Sequence, residues 1–250
     1  LKKGHQDFVT IVTGRRGETT TILAVLKDRK KATVKTFFES IPLRLRQHVA
    51  AICSDRYEGF VNAAKEVFGK RIIVIDRFHV AKCYRGAVDT VRKKELKRLK
   101  RELSEEAYQK FKGVTWMLRK NNVDLSAEEL NTLDGLFRHS PLLKTAYILS
   151  HEFTEIFEED LSKRQAQHKI QMWKKRVKKS GLSCFKRFIK TLGTYLHEIT
   201  NYFLNRQTRG FVEGLNNKIK VITRRCYGIV NVHHVYQRIY LDLEGYARFA

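Results

Sequence analysis

"HVAAICSDRYEGFVNAAKEVFGKRIIVID", residues 48–76, is the stretch that decides the fold. It opens on an apolar run of strand length, residues 48–55, that ends in Asp55. "YEGFVNAAKEVFG" follows, with apolar residues at helical spacing and a glycine after the last turn. "RIIVID", residues 71–76, is a second buried strand, and it too ends in an acid, Asp76. Strand ends in open α/β sheets point into the crevice where ligands bind.

Upstream, "DFVTIVT" at 7–13 and "TTTILAVL" at 19–26 are rich in β-branched and apolar residues and flank "GRRGE". That pattern predicts a β-hairpin. Residues 31–41 predict a short helix ending before Pro42. The order is β-β-α-β-α-β, an α/β mixed sheet with helices on its faces. Downstream of residue 78 the strand pattern stops. Residues 80–205 are helical in pattern, with "GLSCFKRFIKTLGTYLHEITNYFL" a clear amphipathic example. Pro141, in "RHSPLLKTAY", suits the first turn of a helix. The expected organisation is a sheet core over 1–79, an all-α insertion over 80–205, and a return to the core over 206–250.

The chain has 250 residues and is 42% hydrophobic, enough to bury a large core. Its net charge is +24. Self-repulsion on that scale disfavours a compact fold, so the usual partner is expected to be a polyanion, nucleic acid first. No run approaches the 18 apolar residues of a membrane span, and a membrane partner is not expected. The four cysteines show no C-x-x-C spacing, and no signal peptide is visible. They read as thiols in a reducing cytoplasm. "LKKGHQDF" lacks Met and runs directly into a strand pattern, so the chain is expected to be cut on its N-terminal side.

Asp55 and Asp76 are candidate ligands for Mg²⁺, which takes a few carboxylate oxygens and keeps waters. Each also suits the N-cap of a following helix, a purely structural role. In "RGFVEGLNNKIKVITRR", residues 209–225, a single acid, Glu213, stands among five basic residues. Between Leu161 and Leu241 there are eighteen Lys and Arg but two acids, Glu198 and Glu213. On a helix, Glu213, Asn217 and Lys220 share a face with Asn216 at its edge. An ion pair explains Glu213 poorly, because the favoured i+4 partner is Asn217. As a metal ligand it has a reason to be there, while the surrounding cations meet phosphate. His79 follows Asp76 by three residues and is compatible with packing or with a site role. Phe78, Tyr57, Trp116 and Trp173 are expected in the core. Two basic blocks stand out, 85–101 with eight Lys and Arg and 163–190 with eleven and no acid, and the second goes beyond ordinary solvation. Lys174, Lys175, Arg176, Lys178 and Lys179 in the second block, with Lys218, Lys220, Arg224 and Arg225 near Glu213, are the expected phosphate contacts.

"SDRYEGFVNAAKEVFGKRIIVIDRFHVAK" and "TRGFVEGLNNKIKVITRRCYGIVNVHHVYQRI" closely resemble bacterial insertion-sequence transposases of the ISL-three family, in the DDE superfamily with a ribonuclease-H-like core. "LSAEELNTLDGLFRHSPLLKTAYILSHEF" resembles the family's helical insertion, which precedes the last catalytic helix. The resemblance implies that Asp55 is the second catalytic Asp and Glu213 the catalytic Glu, both holding Mg²⁺ or Mn²⁺. Asp76, His79 and Asn217 would stand behind those ligands. The family's first Asp precedes the "KKGH" element, so it is expected upstream of Leu1. The implied activity is metal-assisted phosphoryl transfer: water frees a 3′-OH, which then attacks target DNA, with two metal ions bridging the displacement. The implied partners are double-stranded DNA (element ends and target) and further copies of the protein on it, in a bacterial cytoplasm at the nucleoid. A nuclease on the same fold and a non-catalytic DNA-binding remnant are the alternatives.

Overall fold

Strands form where the β-branched and apolar runs lie: β1 (Thr10–Arg16), β2 (Thr19–Leu26), β3 (Ala51–Ser54) and β4 (Ile72–Ile75). They belong to the computed structural model, which describes residues 10–17, 19–69, 71–120, 124–205, 219, 221, 222, 224, 225 and 231–249. The chain divides into two compact units, Leu1–Asp76 with Gln207–Ala250, and Arg77–Arg206.

In the first unit β1 and β2 pair antiparallel, from Thr10↔Leu26 to Arg16↔Thr19, with an irregularity between Val12 and Thr13. The turn is tighter than "GRRGE" suggests. Gly14, Arg15 and Arg16 continue the ladder against Thr21, Thr20 and Thr19, which satisfies backbone groups a longer loop would leave to water. Gly17 makes the turn at φ +59°, a conformation that costs glycine little.

β3 and β4 pair parallel, Ala51↔Ile72 through Ser54↔Ile75. Among the described residues the four strands therefore form two separate pairs, one antiparallel and one parallel, rather than one continuous sheet. β3 is also shorter than its apolar run. Helix α1 spans Lys31–Ser40 and α2 Leu43–Arg46. The His48 and Val49 N–H groups donate back to the Leu45 and Arg46 carbonyls, so the turn of α2 claims the residues that would have begun the strand. Helix α3, Glu58–Phe68, connects β3 to β4 and ends at Gly69, φ +58°. It packs on α1, with the Phe38 and Phe68 rings edge to face at 5.1 Å. The C-terminal helix, Val232–Phe249, returns to this unit: Val235 and Ile239 join Ile219 and Ile222 against Ile22 of β2.

The second unit is helical: α4 (Arg77–Glu102), α5 (Glu105–Gln109), α6 (Val114–Met117), α7 (Ala127–His139), α8 (Pro141–Glu158), α9 (Lys163–Lys179), α10 (Lys186–Thr200) and α11 (Tyr202–Asn205). Its starts are written locally. Ser126 and Ser162 form capping boxes with Glu129 and Gln165, and Pro141 opens α8 behind the Ser140 cap. The core is aromatic. Trp173 lies 4.7 Å from Phe153, 5.5 Å from Phe185 and 5.7 Å from Phe188, and its indole N–H donates to the Leu149 carbonyl at 2.7 Å. The unit's two ends meet. Arg77, its first residue, donates to Tyr202 at 3.5 Å, pairs with Glu158, and lies over the Phe157 ring.

Two of the four aromatics expected in the core are not there: Phe78 is 50% and Trp116 70% exposed. Val80 and Tyr84 take the buried face of α4, and Phe111 and Val114 anchor the segment carrying Trp116. Residues two from a buried helical position face away from it. Tyr57 is half-buried, and Trp173 is buried. Among the described residues no helix is long and apolar enough to cross a membrane.

Trp173→Ala is expected to destabilise the helical unit by about 3–5 kcal/mol, the usual cost of a large aromatic truncated in a packed core. Trp173→Phe, which keeps the ring but drops the hydrogen bond to Leu149, is expected to cost about 1–2 kcal/mol. Urea denaturation followed by circular dichroism measures both.

Candidate functional site

The parallel pairing of β3 with β4 does more than close a small sheet. The register ends at Ser54↔Ile75, and the Asp76 N–H donates to the Ser54 carbonyl at 2.9 Å, one step past the last rung. Asp55 and Asp76 therefore leave neighbouring strands at the same end, on backbones about 4.8 Å apart. Asp76 is buried and Asp55 half-buried. The Asp55 Oδ1 accepts the Tyr57 N–H at 2.8 Å, a turn that leads into α3. Asp55 thus holds a turn rather than the helix cap expected from sequence: the cap position of α3 is Tyr57, without a side-chain bond. The bond from the Tyr57 N–H occupies one of about four acceptor positions on the carboxylate. The Arg29 guanidinium lies over the Tyr57 ring, 4.9 Å from its centre, beside this turn.

Glu213, Asn217, Lys218 and Lys220 lie outside the described residues. Their neighbours Ile219 and Ile222 do not, and both are buried in the first unit against Ile22. Arg224 and Arg225 are exposed. His79 sits in the first turn of α4, half-buried, its ring edge-on to Phe78 at 5.7 Å. Among the described residues no group of three or more His, Cys, Asp or Glu gathers as a metal cluster.

The basic blocks differ in how they are compensated. In the block at 85–101, Arg92 pairs with Asp89 at 3.0 Å and Arg98 with Glu95 at 2.9 Å. Burial pushes the Asp89 carboxyl up, but the Arg92 and Arg119 guanidiniums outweigh it and hold Asp89 below its ordinary value. In α9 the division is by face. Ala166, Ile170, Trp173 and Val177 form the buried stripe. Arg164, His168, Gln171, Lys175 and Lys178 recur at the same spacing on the exposed side, with Lys179 beside them. Lys169 pairs with Glu159, and Arg176 with Glu152 at 2.6 Å. Arg164, Lys174, Lys175, Lys178 and Lys179 have no carboxylate within 4.0 Å among the described residues. Lys174 is half-buried and the others exposed. From Arg164 to Lys179 the stripe runs about 22 Å along the helix.

Trp116, expected in the core, instead stands exposed, with the Arg119 guanidinium 5.5 Å from its ring centre. The signal was present in the apolar spacing. Phe111, Val114 and Leu118 follow a helical stripe, and Trp116 falls off it.

A family model described as transposase, of the DDE type of ISL3 elements, matches residues 1–239. A transposase for insertion sequence element IS1001 of Bordetella parapertussis is 29% identical over 251 residues, covering 99% of this chain and 60% of the relative. A transposase for insertion sequence element IS1557 of Mycobacterium tuberculosis is 19% identical, covering 98% and 58%. The chain thus spans about 60% of the length of these relatives. No solved structure matches.

The geometry at Asp55 separates its structural role from any other. Asp55→Asn keeps an acceptor for the Tyr57 N–H and is expected to leave stability within about 0.5 kcal/mol, whereas Asp55→Ala is expected to cost about 1 kcal/mol. Chemical denaturation of the two variants makes the comparison.

Proposed function

We propose, from the premise that this chain belongs to the DDE transposase family of ISL3 elements, that it carries most of a ribonuclease-H-like catalytic core that cuts and joins DNA strands. The observation that carries this reading is the return of the chain after the helical unit. Ile219 and Ile222 pack with Ile22, Val235 and Ile239 in the unit that also holds Asp55 and Asp76. Glu213 precedes Ile219 by six residues. A helix that returns at this point is what a shared site for Asp55 and Glu213 requires.

The donors present fit a hard divalent cation. Asp55 offers unused carboxylate oxygen at the strand end, Asp76 stands on the adjoining strand, and hard oxygen donors suit Mg²⁺ or Mn²⁺. Asp55 and Glu213 would hold the ion, with Asp76, His79 and Asn217 supporting them. When bound, it supplies Lewis-acid activation and charge neutralisation at a phosphodiester. The chain's own cations do the positioning. Lys218, Lys220, Arg224 and Arg225 follow Glu213 and would bind phosphates next to the acids. The exposed stripe of α9 would hold duplex backbone farther off, without reading sequence. That division answers why one acid persists in so basic a segment.

Asp55→Asn and Glu213→Gln are each expected to lower strand cleavage by a protein containing this chain on the order of 10²-fold or more, with DNA affinity unchanged or slightly higher. Cleavage that survives either change contradicts the assignment. Affinity for duplex DNA is expected to fall about 100-fold between 50 and 200 mM salt if about four phosphates are neutralised. The combined Lys175→Glu, Lys178→Glu and Lys179→Glu variant should show weaker binding and a flatter salt dependence. A salt-independent affinity contradicts the DNA reading.

A further inference from the structure

We propose that Trp116 is a stacking platform for an unpaired DNA base, a proposal that rests on the DNA-processing reading above. Trp116 is 70% exposed, the largest value for any large apolar side chain among the described residues. The exposure is built in. Phe111 and Val114, on the same short segment, are buried and anchor it. The Trp116 N–H donates to the Gly113 carbonyl at 2.9 Å, and its carbonyl accepts the Arg119 N–H at 3.0 Å. Gly113 takes φ +85°, a turn that favours glycine.

The ring is also braced. The Arg119 guanidinium lies 5.5 Å from its centre and is tied to the Asp89 carboxylate of α4 at 3.0 Å. One residue before Trp116 in the chain, the Thr115 hydroxyl accepts from Arg92 at 2.8 Å, tying the same segment to the same helix. A guanidinium fixed on one side of an indole leaves the rest of the ring open and orders it before a ligand arrives. Such preorganisation lowers the entropy lost on binding.

The surroundings choose the ligand. Lys110 and Lys112 are exposed nearby in sequence and have no carboxylate partner among the described residues. Lys93 and Lys94, next to Arg92 on α4, are exposed as well. Among the described residues of α5 to α7, Leu130 is the other large apolar side chain exposed, at 48%, and Glu105, Glu106, Asp124, Glu128 and Asp134 are exposed acids. A protein-binding hot spot sits at the centre of a wider packed patch that excludes water. One exposed indole with a guanidinium over its ring is not such a patch. It suits a base, which needs one π-face to stack on and cations for its phosphates. Bases inside a duplex have both faces covered, so the ligand is a base outside the stack, at a strand end or flipped from the helix.

The test uses the 250-residue chain and three DNAs: a blunt duplex, the same duplex with a short single-stranded overhang, and that overhang made of abasic sites. The abasic form keeps the phosphates and removes the bases. The overhang is expected to bind more tightly than the blunt duplex, and the abasic overhang to fall back to the blunt level. Trp116→Ala is expected to weaken overhang binding about 5- to 100-fold, with blunt-duplex affinity within about twofold, and Trp116→Phe to keep most of the preference. Indole emission should be quenched by the overhang in the parent chain and not in Trp116→Phe, because Trp173 is only 2% exposed. If no DNA binds, the DNA-processing reading falls and this proposal with it. If all three DNAs bind but intact and abasic overhangs bind alike, or Trp116→Ala keeps the preference, the DNA reading stands and the stacking proposal is overturned. Self-association that Trp116→Ala abolishes, with overhang affinity unchanged, overturns it in favour of a second copy of the chain as the partner.

Discussion

The parallel pairing of β3 with β4 is the constraint on which the rest of the structure depends. Parallel neighbours need a crossover, and α3 supplies it within eleven residues, ended by Gly69. Because the strands run the same way, both finish at one end, and each finish is followed by an aspartate. The Asp76 N–H bond to Ser54 carries the pairing one residue beyond the strands. Immediately after it the chain leaves for α4 and the helical unit. One short pairing thus sets where the acids stand and where the second unit begins.

A chain of net charge +24 must fold against its own repulsion. The helical unit handles this in two ways, by pairing and by segregation. In α4, part of the charge is neutralised internally, as at Arg92 with Asp89 and Arg98 with Glu95. In α9, the aromatic core takes one face, and the cations are left on the other with few carboxylates near them. Exposed pairs such as Lys169 with Glu159 add little to stability in water. The cations left over make physical sense when a polyanion supplies the missing negative charge. Phosphate on a DNA backbone does so at regular spacing.

Much of this was legible in the sequence, and the failures have physical causes. Strands β3 and β4 announce themselves by apolar runs that stop at an acid, and helix α3 by its apolar period and the glycine that ends it. The acids at the strand ends follow from the same reading. The pairing pattern does not, since an apolar run states that a strand is buried but not which strand lies beside it. The apolar run begins before β3 does, because His48 and Val49 spend their backbone N–H groups on Leu45 and Arg46. Trp116 and Phe78 were assigned by residue type, when their offset from Val114 and Val80 carried the information. Asp55 shows that a carboxylate can hold a turn through one oxygen, Oδ1 on the Tyr57 N–H, and still offer its second. Charge context, the helical spacing to Asn217 and the family resemblance single out Glu213, which lies outside the described residues.

The central claim is that Asp55 and Glu213 share one cation across the length of the helical unit that separates them in sequence. Crystals of this chain grown with Mn²⁺ test it directly through the anomalous signal of the metal. The account expects a peak within about 2 Å of carboxylate oxygens from both residues, as bonding to a hard cation requires. A peak at Asp55 with Glu213 on a remote face, or Mn²⁺ held by neither, would contradict it.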